Sequence, residues 1–71
     1  SDVAINVLRV LSAATQPLSR LEISEAVNVD VFDVMEILES WFAFLQEFRE
    51  GKEVKYQLFH HSFRFPLRRL A

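Results

Sequence analysis

Cysteine is absent from this chain of 71 residues, which excludes a disulfide framework and any thiolate metal site. Its two histidines are too few to build a structural zinc site without thiolates. The single glycine, Gly51, excludes the phosphate-cradling loops, because neither GxGxxG nor GxxxxGK[ST] can be written with one glycine. No apolar run reaches the roughly 18 residues of a membrane-spanning helix. No basic stretch precedes the first apolar segment, as it would in a signal peptide. Disorder is excluded by composition, with 51% hydrophobic and 25% charged residues. The length allows one domain, residues 1–71, and a domain this small buries only about 60% of the surface its unfolded chain exposes. With Ser1 first and no initiator methionine, the expectation is a single domain excised from a larger, cytoplasmic, multidomain protein.

What is present is unevenly distributed. The net charge of −2 conceals an acidic middle and a basic end. Residues 22–50 carry Glu22, Glu25, Asp30, Asp33, Glu36, Glu39, Glu47 and Glu50 against Arg49 alone. Residues 51–71 carry Lys52, Lys55, Arg64, Arg68 and Arg69 against Glu53.

The pattern of apolar residues predicts a helix over residues 2–14, with Val3, Val7, Val10, Leu11 and Ala14 on one stripe and only Asn6 and Arg9 as a polar strip. A helix apolar around most of its circumference is either central to the core or covered by a neighbouring domain. Pro17 ends this helix and restricts Gln16. Ser19 and Glu22 then form a capping box, opening a short helix to about Val27. Asn28 and Val29 make a turn. Asp30 opens a third helix, on which Val31, Val34, Met35, Leu38, Trp41 and Phe42 recur at helical spacing, opposite Asp33, Glu36, Glu39 and Ser40. Beyond it the period falls to two, predicting a hairpin over residues 44–49 and 53–59 with Gly51 at its turn. A short closing helix starting near Ser62 completes the order. The expectation is therefore an α+β, mostly helical, winged helix-turn-helix domain: three helices, a β-hairpin wing and a closing helix, with a short strand near Leu18. Trp41, Phe42, Tyr56 and Phe63 are the expected structural anchors, Trp41 and Phe42 joining the helices to the hairpin.

Three functions compete for such a fold. Duplex DNA binding places the third helix in the major groove, where phosphate charge dominates. Residues 30–42 hold four acids and no lysine or arginine, so nucleic acid is disfavoured as a partner. Catalysis finds no Ser/His/Asp arrangement, and each acidic pair lies at helical spacing on a solvated face. No catalytic residue and no metal ligand are assigned. The remaining feature is His60-His61, placed where a strand meets a helix start, since helix N-termini attract anions. If the strand continues, His60 shares a face with Val54, Tyr56 and Leu58.

The segment Tyr56-Gln57-Leu58-Phe59-His60-His61-Ser62-Phe63-Arg64 resembles a motif of the STAND class of signalling NTPases, which includes the NACHT and NB-ARC families. The motif reads aromatic-x-His-x-Ser-Phe-x-acidic-Phe-Leu, and the match runs from Phe59 through Phe63. Residues 7–14, Gln16-Pro17-Leu18 and Leu21-Glu22-Ile23 are similar to the opening of the same winged-helix domain. The resemblance covers about residues 3–70. It implies that His60 contacts the β-phosphate of ADP in the closed, resting protein, with Ser62 and Phe63 at helix-start and packing positions and His61 at a variable one. Phe65 and Pro66 depart from the motif, which has an acid and a phenylalanine there, and Leu67 returns to it. For this chain the resemblance implies no cofactor of its own. It implies ATP or ADP with Mg2+ on an upstream ATPase domain of the same protein, oligomer formation on activation and a signalling or defence role. The alternative reading is a winged-helix protein-interaction module without nucleotide contact.

Overall fold

The first helix, α1 (Asp2–Ala13), runs until the chain meets Pro17, with Ala14 closing its last turn by donating to the Val10 carbonyl at 3.1 Å. In this computed structural model the described residues are 2–59. Strand β1 (Leu18–Ser19) is a brief extended stretch just after Pro17, where Leu18 pairs with Tyr56 and Ser19 with Lys55. Ser19 then ends the strand and caps α2 (Arg20–Val27) in one step. Its hydroxyl accepts from the Glu22 amide at 3.1 Å, and its own amide donates to the Glu22 carboxylate at 2.9 Å. The reciprocal capping box read from the sequence is thus formed, and it satisfies two donors that the helix start leaves orphaned.

A turn of three residues joins α2 to α3 (Val31–Ser40). Asn28 sits in the left-handed region at φ 58°, and the amides of Asn28 and Val29 both return to the Ser24 carbonyl. Asparagine tolerates this conformation better than other non-glycine residues. Asp30 caps α3, its carboxylate accepting from the Phe32 amide at 2.8 Å. The third helix ends at Ser40, so Trp41 is its C-cap, and a 3-10 turn, Phe42–Phe44, leads into the sheet.

Strands β2 (Leu45–Glu50) and β3 (Glu53–Leu58) form an antiparallel hairpin, and β1 joins on the far side of β3, giving the order β1-β3-β2. Glu50 pairs with Glu53, leaving Gly51 and Lys52 as a two-residue loop. Gly51 has φ +61° and Lys52 does not share that sign, the pattern of a type II′ turn. The hairpin lies within a residue of its expected limits.

The core forms where one face of each element converges. Val7, Leu8 and Leu11 of α1 meet Ile23 of α2, Val34 and Leu38 of α3, and the cross-strand pair Leu45 and Leu58. Val3, Leu18, Val27, Val29, Ile37, Trp41 and Tyr56 close its rim. The described residues therefore make an α+β unit of three helices and a three-stranded antiparallel sheet. The closing helix expected from Ser62 lies outside the described residues.

Candidate functional site

Helix α3 presents the most distinctive surface. Asp33, Glu36 and Glu39 are exposed on it, and the helix carries no basic residue. Phe32 stands among these acids with 72% of its surface in water. Phe32, Glu36 and Glu39 fall at i, i+4 and i+7, so one helix face carries all three. Phe32, Met35 and Glu39 run beside it at i, i+3 and i+7. That stripe continues into Phe42, which is 63% exposed.

Between this stripe and the sheet lies a groove of about 70 Å³, lined by Met35, Leu38, Glu39, Phe42, Glu47 and Tyr56. Glu47 pairs with Tyr56 across the hairpin, so it occupies the strand face that Leu45 and Leu58 turn toward the helices. Small-molecule sites usually enclose about 300–1,000 Å³, so this groove suits one or two side chains. A second cleft, of about 310 Å³, is lined by Ser19, Arg20, Leu21, Lys52, Glu53 and Val54. The hairpin beside it is mixed in charge: Lys55 lies 3.8 Å from Glu50 and 3.7 Å from Glu53. Opposite signs this close leave little net field for a phosphate backbone.

The expected anchors divide. Tyr56 is half-buried and packs on the core rim. Trp41 is also half-buried, with its ring centroid 5.8 Å from that of Phe44 at 53°. Its ring thus joins the end of α3 to the turn before β2. Phe42 does not join it. The helix stops at Ser40, and the 3-10 turn that follows carries the Phe42 ring outward, where a continued helix would have kept it on the apolar stripe. His60 and Phe63 lie outside the described residues, as do His61 and Ser62. The exposed Phe32 was missed by reading the apolar stripe alone, although its spacing from Glu36 and Glu39 is the signal that assigns it to the acidic face.

The surroundings of Glu22 perturb its titration. The Ser19 backbone amide, seconded by the Ser19 hydroxyl and the charge of Lys55, lowers its carboxyl below the usual value near 4.5 against a smaller desolvation effect. That is the electrostatics of a helix cap. Among the described residues no group of three or more His, Cys, Asp or Glu is arranged to hold a metal ion. Among them, too, no helix is long and apolar enough to cross a membrane.

No family model matches the chain, and no curated protein sequence matches it. Solved structures do. Human N-acetylserotonin methyltransferase, solved in complex with SAM, superposes with a TM-score of 0.71 over 84% of this chain at 18% identity. The chain spans only 18% of that methyltransferase. A likeness at this identity is one of fold.

Proposed function

We propose that this chain is a winged-helix regulatory domain of a STAND-class, NACHT-like NTPase, one that holds an upstream ATPase domain in its ADP-bound closed state and moves on activation. The observation that carries the reading is the position of the Phe59-His60-His61-Ser62-Phe63 motif, which begins one residue after β3 ends at Leu58. Helix N-termini attract anions, because unpaired amides gather there, and the reading expects one near Ser62. The element order supports a winged helix: α1, β1, α2, a tight turn, α3 and a hairpin, with β1 paired to the second hairpin strand. In this reading the domain has no catalytic residue. ATP or ADP and Mg2+ belong to the neighbouring domain, His60 supplies a phosphate contact, and homo-oligomers form once the domain swings away. The nucleotide drives the swing by binding one arrangement more tightly than the other. A cytoplasmic location accompanies the proposal.

The test is ADP affinity of the full-length protein. His60→Ala should weaken it about 10- to 150-fold, the loss of a hydrogen bond to a charged group, while His61→Ala should leave it near wild type. Equal affinities in wild type and His60→Ala would remove the nucleotide contact.

A second reading, an interaction module without nucleotide contact, is favoured by the exposed Phe32 set among the carboxylates of α3 and by the exposed Phe42 on the turn that follows. Apolar groups within a charged face are a feature of protein-binding surfaces, and the three acids of α3 with Asp30 at its cap would repel a duplex. That reading survives if His60→Ala changes nothing at the nucleotide.

A further inference from the structure

We propose that the outer edge of β2 pairs antiparallel with the same edge of a second copy of this chain, in the register that sets Glu47 of each copy against Arg49 of the other and brings the Phe48 rings together.

Strand β2 is an open edge. In the order β1-β3-β2 it pairs with β3 on one side only. The helices pack mainly on β1 and β3, so β2 stands clear of them. Four of its six residues are exposed, and Phe48 is half-buried. The direction of its backbone groups follows from the hairpin. The Phe59 amide donates to the Phe44 carbonyl, so Phe44 turns its backbone toward β3. Bonding alternates along an antiparallel strand. Gln46, Phe48 and Glu50 therefore bond to β3, while Leu45, Glu47 and Arg49 turn amide and carbonyl outward. Among the described residues nothing pairs with that outer row. Such a row is a ready template for another strand.

The side chains select the strand that fits. An added copy must match outward residue to outward residue, so a two-fold antiparallel pairing is centred on a single residue. Centring on Glu47 opposes two carboxylates, and centring on Arg49 opposes two guanidiniums. Like charges directly opposite are destabilising. Centring on Gln46 sets Glu47 against Leu45 and runs Arg49 against Ala43, in the 3-10 turn. Centring on Phe48 alone sets Glu47 against Arg49 twice, once in each direction. Ladder bonds then join both charged pairs. The Phe48 rings meet between them at a non-hydrogen-bonded site, where Cα atoms lie about 4.5 Å apart and side chains are closest. An aromatic pair there adds to the ladder.

Charge of one sign would blunt such an edge. Opposite signs two residues apart give it a preferred register instead. Exposed ion pairs contribute little energy, so Glu47 and Arg49 set specificity while the ladder and the rings set affinity. A pair of six-residue strands makes an interface below the standard size of about 1,200–2,000 Å², which points to a weak, micromolar dimer. Two-fold pairing occupies the edge of each copy, so assembly stops at two. The inference does not depend on any nucleotide contact.

Sedimentation equilibrium of the 71-residue chain from about 10 μM to about 1 mM should show a monomer–dimer equilibrium. The amides of Leu45, Glu47 and Arg49 should gain protection from hydrogen exchange as concentration rises, a readout that needs no variant. Glu47→Arg makes positions 47 and 49 both cationic, and Arg49→Glu makes both anionic. Each variant alone should dimerise about tenfold more weakly or worse. An equimolar mixture should recover the dimer, since every charged pair across the two strands is then opposite in sign. Both side chains are exposed, so each variant should melt near wild type. A chain that stays monomeric throughout the range would overturn the proposal. So would single variants that dimerise as wild type does, a mixture that stays monomeric, or protection that rises on α3 and not on β2.

Discussion

Ile23 and Leu21 sit two residues apart on α2, are close in hydrophobicity, and should respond oppositely to truncation. Ile23 is fully buried, whereas Leu21 is 59% exposed at the start of the helix. Two residues on a helix are about 200° apart, so one of the pair faces α1 and α3 and the other faces water. Ile23→Ala removes three carbons from a site enclosed on all sides. Its expected cost is about 2–5 kcal/mol, combining lost transfer energy with the residual cavity. A single core in a chain this small supplies only about 3–5 kcal/mol. The variant should therefore be largely or wholly unfolded at 25 °C. Ile23→Val, which removes one methyl, keeps the experiment quantitative: about 0.5–1.5 kcal/mol, or a fall in melting temperature of roughly 2–12 °C at the 4–8 °C per kcal/mol of small domains. Leu21→Ala should stay within about 0.5 kcal/mol of wild type, as surface changes do. The assay is urea denaturation followed by helical circular dichroism, with the urea slope compared between variants so that a change in the unfolded state is not mistaken for a change in stability. If Leu21→Ala cost as much as Ile23→Val, the assignment of the α2 faces would be refuted.

Other expectations rest on single features. Ser19→Ala removes the hydroxyl that caps α2 and should cost about 1 kcal/mol, read as a lower urea midpoint. Because Glu22 has a lowered pKa in the folded chain, its contribution is complete above the ordinary carboxylate value near 4.5 and is lost as the pH falls through the folded one. Glu22→Gln should accordingly flatten the acid limb of the stability curve and leave its neutral-to-alkaline limb unchanged in slope; an unaltered acid limb would show that the carboxylate is not tied to Ser19. Gly51→Ala meets no atom within 4 Å of the new Cβ, yet it holds a positive φ of 61°, so a loss of about 1–2 kcal/mol is expected from backbone strain alone. Gel-shift titration of the domain at about 150 mM salt should give no duplex affinity tighter than the nonspecific range of about 10⁻⁴–10⁻⁶ M, and submicromolar sequence-dependent binding would contradict the role given to the acids of α3.

Local signals in the sequence determined much of this protein. The capping box at Ser19 and Glu22, the Asp30 cap, the tight turn at Asn28 and the turn at Gly51 all involve groups within five residues of each other. Such features depend on backbone chemistry that is the same wherever the segment lies, so they can be read in order along the chain. The change of period from 3.6 to 2 after Trp41 likewise announced the hairpin, because an amphipathic strand must alternate whichever partner it finds. The distribution of charge, acidic on α3 and basic beyond Gly51, was legible for the same reason.

Only the tertiary structure decided which apolar residues became core. Val7, Leu8 and Leu11 are buried while Ile5 on the same helix is 42% exposed, and Ile23 is covered while Leu21 is not. A helix whose circumference is nearly all apolar does not itself say which side its neighbours will take. That choice follows from where α2, α3 and β3 come to rest, a non-local outcome. Phe42 makes the point most sharply. Its spacing continued the stripe of α3, but the helix ended at Ser40 to let Leu45 enter the sheet opposite Leu58, and the 3-10 turn between them faced the ring outward. The groove beside it arises in the same way. Met35, Glu47 and Tyr56 come from a helix and two strands, and no pattern in the sequence brings a carboxylate of β2 against a methionine of α3 until the hairpin folds back over the helices.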